Sequence, residues 1–373
     1  MSWVGWLCLL SILAYALRGS FFLIGAWRAR RQYRKLNLAP AQPPSVSIVI
    51  PARNEERVIA RCVESVMACQ YSNFEVIVVN DRSTDGTAAV LRELQDRYGE
   101  RLRIVHRWEE PSERNLQGKA GALHLGIEQA QGEVLLFTDA DCLVPPTWIR
   151  AMVTPFSQPR VGFVAGFVLV EGQHFFARLQ SAEWLMLSTA ASAGIGWGQA
   201  LGCFGNNVAV RARAYWDTGG YAHIPFSVTE DLTLQQAVRR CGWQMQHVCT
   251  SEGVVVTMPV RTLGDHLRQR RRWGRGGLLL GGWAIAFVTT TALFWGALLS
   301  AALAGEWLWA LGVGVVRFVA DLALGMFPAY FLCQRSLVKM LPVVVPFIAV
   351  MELVLPFLVL FQPKVWWKGR LLR

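Results

Sequence analysis

Four short stretches carry side chains that can do chemistry together: Val79-Asn80-Asp81-Arg82-Ser83-Thr84-Asp85, Thr138-Asp139-Ala140-Asp141, Thr229-Glu230-Asp231 and Gln269-Arg270-Arg271-Arg272-Trp273. The pair Asp139 and Asp141 stands at the end of a strand-like run, and alternation sends both carboxylates to one side of an extended chain. Oxygen donors of this kind suit Mg2+ or Mn2+, whose remaining positions are usually filled by substrate phosphates. A solvated acidic turn before Pro145-Pro146 would use the same residues; the buried character of Val134–Phe137 favours the metal. Asp81 ends an earlier run, where its carboxylate can accept from a nucleobase or ribose. Ser83, Thr84 and Asp85 suit the cap of the following helix, and with Asp85 capping, Asp81 is left free for a ligand.

Thr229-Glu230-Asp231 supplies a candidate base. Two acids in a first helical turn are also what the helix dipole stabilises, so the catalytic reading leans on the metal pair and on Lys119. That lysine opens a helix within Gln117-Gly118-Lys119-Ala120-Gly121-Ala122, where it can meet a phosphate. The glycine and Ser/Thr spacing of a P-loop is absent, and no G-x-G-x-x-G follows the first strand. Gln269 and the Arg272-Trp273 pair lie one turn apart on a helix. Arginine matches pyrophosphate in a bidentate way, and the indole offers a stacking face for a sugar. Arg270, Arg271 and Arg275 read as a juxtamembrane basic belt.

These residues need a scaffold that gathers them. Strand-like runs at Ser45–Ile50, Phe74–Val79, Leu102–His106 and Glu133–Thr138 alternate with helical stretches at Glu55–Cys69, Asp85–Tyr98 and Lys119–Gln131. This alternation predicts an α/β domain with a mostly parallel sheet covered on both faces, which binds ligands beyond the carboxyl ends of its strands. Further on, Val161–Val170 reads as a strand, Phe175–Ala193 as a helix rich in small residues and Gly194–Asn207 as a glycine-rich loop. Thr229–Arg240 reads as a helix with Thr229 as its N-cap, and Val254–Met258 as a strand leading through Arg261–Arg275 to the next apolar segment.

Of 373 residues, 53% are hydrophobic and only 17% charged, against about 25% charged in ordinary globular proteins. The excess collects in four segments of roughly the 20 residues a spanning helix needs: Trp3–Trp27, Leu278–Ala304, Trp307–Leu332 and Leu341–Phe361. The first lacks a basic start and resumes after Arg18, so it reads as an anchor rather than a leader. In the last, Pro342, Pro346, Pro356 and Glu352 are awkward in a lipid-facing helix. If it does not span, the tail with Lys364, Lys368, Arg370 and Arg373 stays on the cytosolic side. Arg317 and Asp321, inside the third, read as a mutual ion pair.

The net charge of +11 does not point to nucleic acid. Arg28, Arg30, Arg31, Arg34 and Lys35 follow the first apolar segment, and Arg268, Arg270, Arg271, Arg272 and Arg275 precede the second, as on the cytoplasmic side of a membrane. Eight cysteines without C-x-x-C spacing read as small buried hydrophobes, and the histidines show no ligand spacing. The organisation expected is an anchor with basic flank at 1–37, a cytosolic domain at 38–262 that begins with a proline-bearing linker at Leu38–Pro44, an interfacial helix at 263–277 and a membrane region at 278–373.

Taken with Pro51-Ala52-Arg53-Asn54-Glu55-Glu56, the motifs over Pro44–Gly276 resemble family 2 glycosyltransferases. The branch is the membrane-bound one that includes cellulose, hyaluronan and poly-N-acetylglucosamine synthases and ceramide-type glucosyltransferases. The resemblance implies a GT-A fold, a nucleotide-sugar donor and inversion at the anomeric carbon. It implies that Asp81 holds a uridine-like part of the donor, Lys119 approaches the phosphates, and Asp139 and Asp141 contact donor and metal, Asp141 the more closely. Asp231 would be the base, with Glu230 beside it at the acceptor, and Gln269, Arg272 and Trp273 would close over pyrophosphate and acceptor. Val79-Asn80-Asp81-Arg82 departs from the usual pattern, which has a second acid and a small residue, and this bears on the nucleobase. Three segments after the domain are few for a polymer channel, so a lipid, polyprenyl or terpenoid acceptor in a bacterial inner membrane is expected over a growing glycan. A receptor or transporter with a nucleotide-binding domain would leave the acids idle. A nucleotidyltransferase would leave Asp231 and Gln269-x-x-Arg272-Trp273 without a task.

Overall fold

The computed structural model describes residues 1–36 and 43–361, with the backbone alone for 365–367 and 370–372. Most of the expected linker, and Lys364, Lys368 and Arg373 of the tail, lie outside the described residues.

The chain opens with a 32-residue helix, α1 (Trp3–Arg34), that carries the basic cluster on its last turns. Then β1 (Val46–Ala52), α2 (Ile59–Met67), β2 (Phe74–Asp81), α3 (Thr87–Tyr98), β3 (Leu102–Arg107), α4 (Gly118–Glu128) and β4 (Val134–Phe137) alternate as the apolar pattern predicts. They continue into β5 (Cys142–Leu143), α5 (Trp148–Val153), β6 (Val161–Ala165), β7 (Val168–Val170), α6 (Phe175–Gly196) and β8 (Val208–Arg211). Short helices α7 (Ala212–Asp217) and α8 (Gly220–His223) precede α9 (Glu230–Arg240), β9 (Gln244–His247) and β10 (Val255–Thr257). Last come α10 (Leu263–Gly277), α11 (Gly282–Leu303), α12 (Trp307–Phe331), α13 (Arg335–Val338) and α14 (Leu341–Phe361).

Seven strands form one sheet in the order β3-β2-β1-β4-β8-β6-β9, in which β8 alone runs antiparallel to its neighbours. A second sheet, β5-β10-β7, stands beside it. Period two divides β1 between two cores. Val46, Ile48 and Ile50 pack with α2, α3, α5 and α6, whereas Val49 packs with α4, α7 and α9. The first core continues without a break into Ala329 of α12 and Leu341, Val344 and Val345 of α14. α1 and α6 touch where Gly25 and Gly196 meet: a Cβ on Gly196 would lie 1.9 Å from the Gly25 carbonyl oxygen.

Several boundaries differ from the sequence reading, each for a local reason. The helix expected from Glu55 starts only at Ile59, because the loop before α3 captures the backbone first. The Glu55 N–H donates to Thr87 Oγ1 at 2.8 Å, and the Glu56 N–H donates to the Asp85 carboxylate at 3.3 Å. Val161–Val170 is two strands in different sheets, divided where the Gly166 N–H turns to the Asn207 carbonyl. Thr229 does precede α9, but its side chain caps nothing and pairs instead with the Ser227 hydroxyl at 3.0 Å. Five of the eight cysteines are buried and all eight are free.

Four helices, α1, α11, α12 and α14, are long and apolar enough to cross a membrane. Arg317 pairs with Asp321 at 3.4 Å, as expected, but also with Glu352 of α14 at 2.7 Å. Glu352 in turn takes Arg18 of α1 and the hydroxyl of Thr291 of α11, and Tyr15 donates to Asp321. The residue that made the last segment look unsuited to lipid therefore faces the other three helices. Both Pro346 and Pro356 are accommodated within a continuous helix.

Candidate active site

β1, β2 and β4 run parallel, so the residues after them share one edge of the sheet. There a cavity of about 540 Å³ opens, lined by Arg53, Asp81, Lys119, Asp139, Asp141, Glu230, Asp231, Gln269, Arg272 and Trp273 among others. Asp81, Lys119, Asp139, Asp141, Glu230, Asp231, Gln269, Arg272 and Trp273, the candidates for donor, metal, base and acceptor contacts, all reach this one space.

The geometry at its centre is electrostatic. Lys119 Nζ lies 2.7 Å from Asp139 and 3.1 Å from Glu230, tying the first helix turn of α4 to the end of β4 and the start of α9. Burial alone would make this ammonium easier to deprotonate, but the two carboxylates outweigh it and raise its pKa. Asp231 behaves oppositely. Enclosure and the adjacent Glu230 carboxylate push it up to about 6 against the partial relief given by Lys119. The N–H groups of Gly205 and Leu232 donate to its two oxygens at 2.8 and 2.9 Å, which fixes the carboxyl without neutralising it.

Among the described residues no three His, Cys, Asp or Glu side chains close around a single point. Asp139 and Asp141 both line the cavity just beyond β4, and carboxylate oxygens there could hold a divalent ion that arrives with phosphate oxygens, Asp139 doing so beside the Lys119 ammonium.

Asp81 differs from expectation. Its carboxylate is not free: Arg82 grips it through Nε at 2.7 Å and Nη2 at 3.0 Å, and Arg107 adds a contact at 3.2 Å. Arg82 has φ of 54°, a left-handed conformation uncommon for a side-chain-bearing residue, and this folds its guanidinium back onto its neighbour. Glu110 holds the far side of Arg82 at 2.6 Å and accepts from the Gly118 N–H at 2.7 Å. The clamp thereby connects the Asp81 end of the cavity to the helix start bearing Lys119. Arg107 and Glu110 were missed because only the β2–β3 pairing brings them near; Arg82 was visible as the departure from pattern.

On α10, Arg272 donates to the Val228 carbonyl at 3.1 Å, just before Glu230 and Asp231. Gly276 comes so close that a Cβ there would lie 2.0 Å from Thr229 Oγ1. Gly276→Ala is therefore expected to displace the Glu230-Asp231 turn, lowering kcat/KM and costing about 1–3 kcal/mol by overpacking. Gly264→Ala, at ordinary van der Waals distance from its neighbours, is the control, and thermal melting with initial rates compares the two.

Arg270 is corrected outright: it is no part of a solvated belt. Only 3% exposed, it makes a bidentate pair with Glu183 of α6 at 2.8 and 2.7 Å. Burial would raise the Glu183 carboxyl, but Arg270 and His266 outweigh it and hold it down at about 2.

With this geometry established, comparison with known proteins is decisive. The model of "Glycosyl transferase family 2" matches residues 47–219, and that of "Glycosyl transferase family group 2" matches residues 134–333, more than half of the chain. The chain belongs to glycosyltransferase family 2. It is 31% identical over 243 residues to a beta-monoglucosyldiacylglycerol synthase of Nostoc sp. PCC 7120, covering 63% of this chain and 49% of that protein. It is 23% identical over 244 residues to a poly-beta-1,6-N-acetyl-D-glucosamine synthase of Staphylococcus epidermidis, covering 63% and 55%. The chain spans about half the length of the curated relatives it matches. Among solved structures, the mannosyltransferase PcManGT from Pyrobaculum calidifontis, in complex with GDP-Man and Mn2+, superposes with a TM-score of 0.58. It shares 22% identity and covers 93% of this chain and 99% of that one. The fold of this glycosyltransferase is GT-A.

Proposed function

We propose that this family 2 glycosyltransferase moves a sugar, with inversion, from a UDP-linked or similar nucleotide donor to a lipid acceptor at the cytosolic face of a bacterial inner membrane. The observation that carries the lipid reading is the shape of the cavity. At the sheet edge its walls are charged, but it continues between Leu187 and Ala190 of α6, Phe22 of α1 and Phe287 of α11, and two of those helices are membrane candidates. An acceptor with a polar head and an apolar tail matches both ends. The diacylglycerol named in the cyanobacterial relative is an acceptor of that kind.

In this reading residues 38–262 form the cytosolic catalytic domain, with α10 at the interface. The nucleoside lies near the Asp81–Arg82 clamp. Lys119 and Arg272 neutralise charge developing on the leaving diphosphate. Asp139 and Asp141 would hold Mg2+ or Mn2+, which supplies further neutralisation when bound; the Mn2+ in the PcManGT complex supports such a site. Asp231 accepts the proton of the acceptor hydroxyl as its oxygen bonds to the anomeric carbon and the bond to phosphate breaks. Glu230 keeps Lys119 in place, and Gln269 and Trp273 contact the acceptor. If all four candidate helices span, both termini lie outside, which a C-terminal tag would report.

The test is a donor panel with membranes containing the protein, followed by organic extraction and mass analysis. A labelled product in the organic phase is expected. Label retained as an aqueous polymer would favour the processive alternative that the staphylococcal relative represents, and no donor-dependent product would overturn the proposal. The pH profile gives a second check. Asp231 must be ionised to act as base, so kcat/KM, which reports the free enzyme, is expected to fall below about pH 6.

A further inference from the structure

The face of α10 that turns away from solvent is unusual in being polar. His266, Arg270 and Trp273 are spaced i, i+4 and i+7, one stripe of a helix, and the first two are buried. Arg270 donates to both oxygens of Glu183, and its Nη1 donates to Gln269 Oε1 at 3.2 Å. Its guanidinium also lies over the Trp273 ring, 4.1 Å from the centroid. The indole is held edge-on by Trp184 at 4.9 Å and by Phe204 at 5.4 Å. His266 approaches Glu183 at 3.3 Å and packs against Phe176 of α6 and Phe347 of α14. A single arginine thus touches both Gln269 and Trp273, the two residues placed at the acceptor, and a single carboxylate holds that arginine.

A buried ion pair of this kind is weak evidence for stability, since well-packed apolar residues often serve as well. Its value must then lie in what it orients. We propose that Glu183 is a positioning residue: through Arg270 it fixes the rotamers of Gln269 and Trp273 and so sets the acceptor face of the site. This rests on the glycosyl-transfer reading for its consequence, but not for its geometry. Among the described residues the ion pairs of Asp81, Lys119 and Asp139 join them to Arg82, Arg107, Glu230 and each other, not to Glu183 or Arg270, so losing the brace should separate the two substrates.

The experiment uses the full chain in detergent, labelled with 5-fluorotryptophan, with the Trp273 fluorine resonance identified by its loss in Trp273→Phe. In Glu183→Gln that resonance is expected to split or broaden as the indole samples several rotamers. In the donor panel, with dioleoylglycerol micelles as the acceptor probe, KM for the probe is expected to rise and kcat/KM toward it to fall about 10- to 100-fold, the scale of a misplaced substrate contact. KM for the donor should stay within about twofold. Since Glu183→Gln leaves Arg270 buried against a neutral amide and can misfold, the double variant E183L/R270M removes both charges and should melt near the wild type while showing the same two effects. A single sharp Trp273 resonance in the folded double variant overturns the proposal, as does a donor KM that rises in step with the acceptor's. A wild type inactive with every donor would instead sink the transferase reading, while the resonance still decides the brace.

Discussion

Asp231→Asn is expected to lower glycosyl transfer by about 10²- to 10⁴-fold, the usual contribution of a positioned base, while donor affinity and the fold survive. An acceptor hydroxyl is a poor nucleophile until a carboxylate takes its proton, and Asp231, the base proposed above, is held in place by the Gly205 and Leu232 N–H groups. Its pKa, raised from 3.8 to about 6, means that the folded protein carries its ionised form at a cost. The stability this group contributes is present below the unfolded value and lost as pH rises through about 6. Asparagine removes that cost at neutral pH but keeps a single acceptor oxygen for the Gly205 and Leu232 N–H groups, so the two changes oppose each other and the variant should melt close to the wild-type temperature at pH 7–8. Donor binding by titration calorimetry should change little, because Lys119 is anchored by Asp139 and Glu230 rather than by Asp231. Turnover near the wild-type rate would remove Asp231 from the mechanism, whereas loss of donor affinity in parallel would make it a structural acid.

Much of this arrangement was legible in the chain because it is written in local pattern. Buried β-branched runs ending in acids place Asp81 and Asp139 at one sheet edge, and parallel pairing of β1 with β2 and β4 does the rest. The spacing of Gln269, Arg272 and Trp273 fixes a shared helix face without any tertiary knowledge. What escaped were contacts between residues distant in sequence. Nothing in the run of arginines before the second apolar segment distinguishes Arg270 from Arg271 or Arg275. Only the approach of α6 shows that one of them faces a buried carboxylate. Arg107 reaches Asp81 across 26 positions, and Glu352 meets Arg18 across 334. The division of Val161–Val170 into two sheets depends on a bond from the Gly166 N–H to the Asn207 carbonyl, beyond the reach of periodicity.

The two halves of the molecule use charge for different purposes. In the cavity, Lys119 and Arg272 stand where phosphates are proposed to lie, and the Glu230 carboxylate raises the pKa of Asp231, the proposed base. Between the four long apolar helices the charges balance each other. Arg18 and Arg317 face Asp321 and Glu352, so the cluster is neutral overall, as a low-dielectric setting requires. The two are linked through α1: Arg18 belongs to the cluster, and Phe22, one turn nearer the domain, lines the cavity.

Glu352→Gln is expected to be the most destabilising substitution in the membrane region. Glu352 serves Arg18, Thr291 and Arg317 together, joining four helices at one side chain. Removing one member of a buried pair typically costs about 3–5 kcal/mol, because the partner is left charged and unmatched. Here two guanidinium groups lose their counter-charge and are left one acceptor oxygen between them, and one of the two is only 2% exposed. Asp321 sits against Arg317 at 3.4 Å and moderates that half of the loss, so Arg18 bears most of it. Arg18→Met should therefore be milder than Glu352→Gln, since Glu352 retains Arg317, and adding Arg18→Met to Glu352→Gln should recover part of the loss. Thermal unfolding of the purified protein in detergent, followed by size-exclusion recovery, ranks the three. Equal melting of Glu352→Gln and wild type would show that the helices are joined by packing alone, with the ion cluster a passenger.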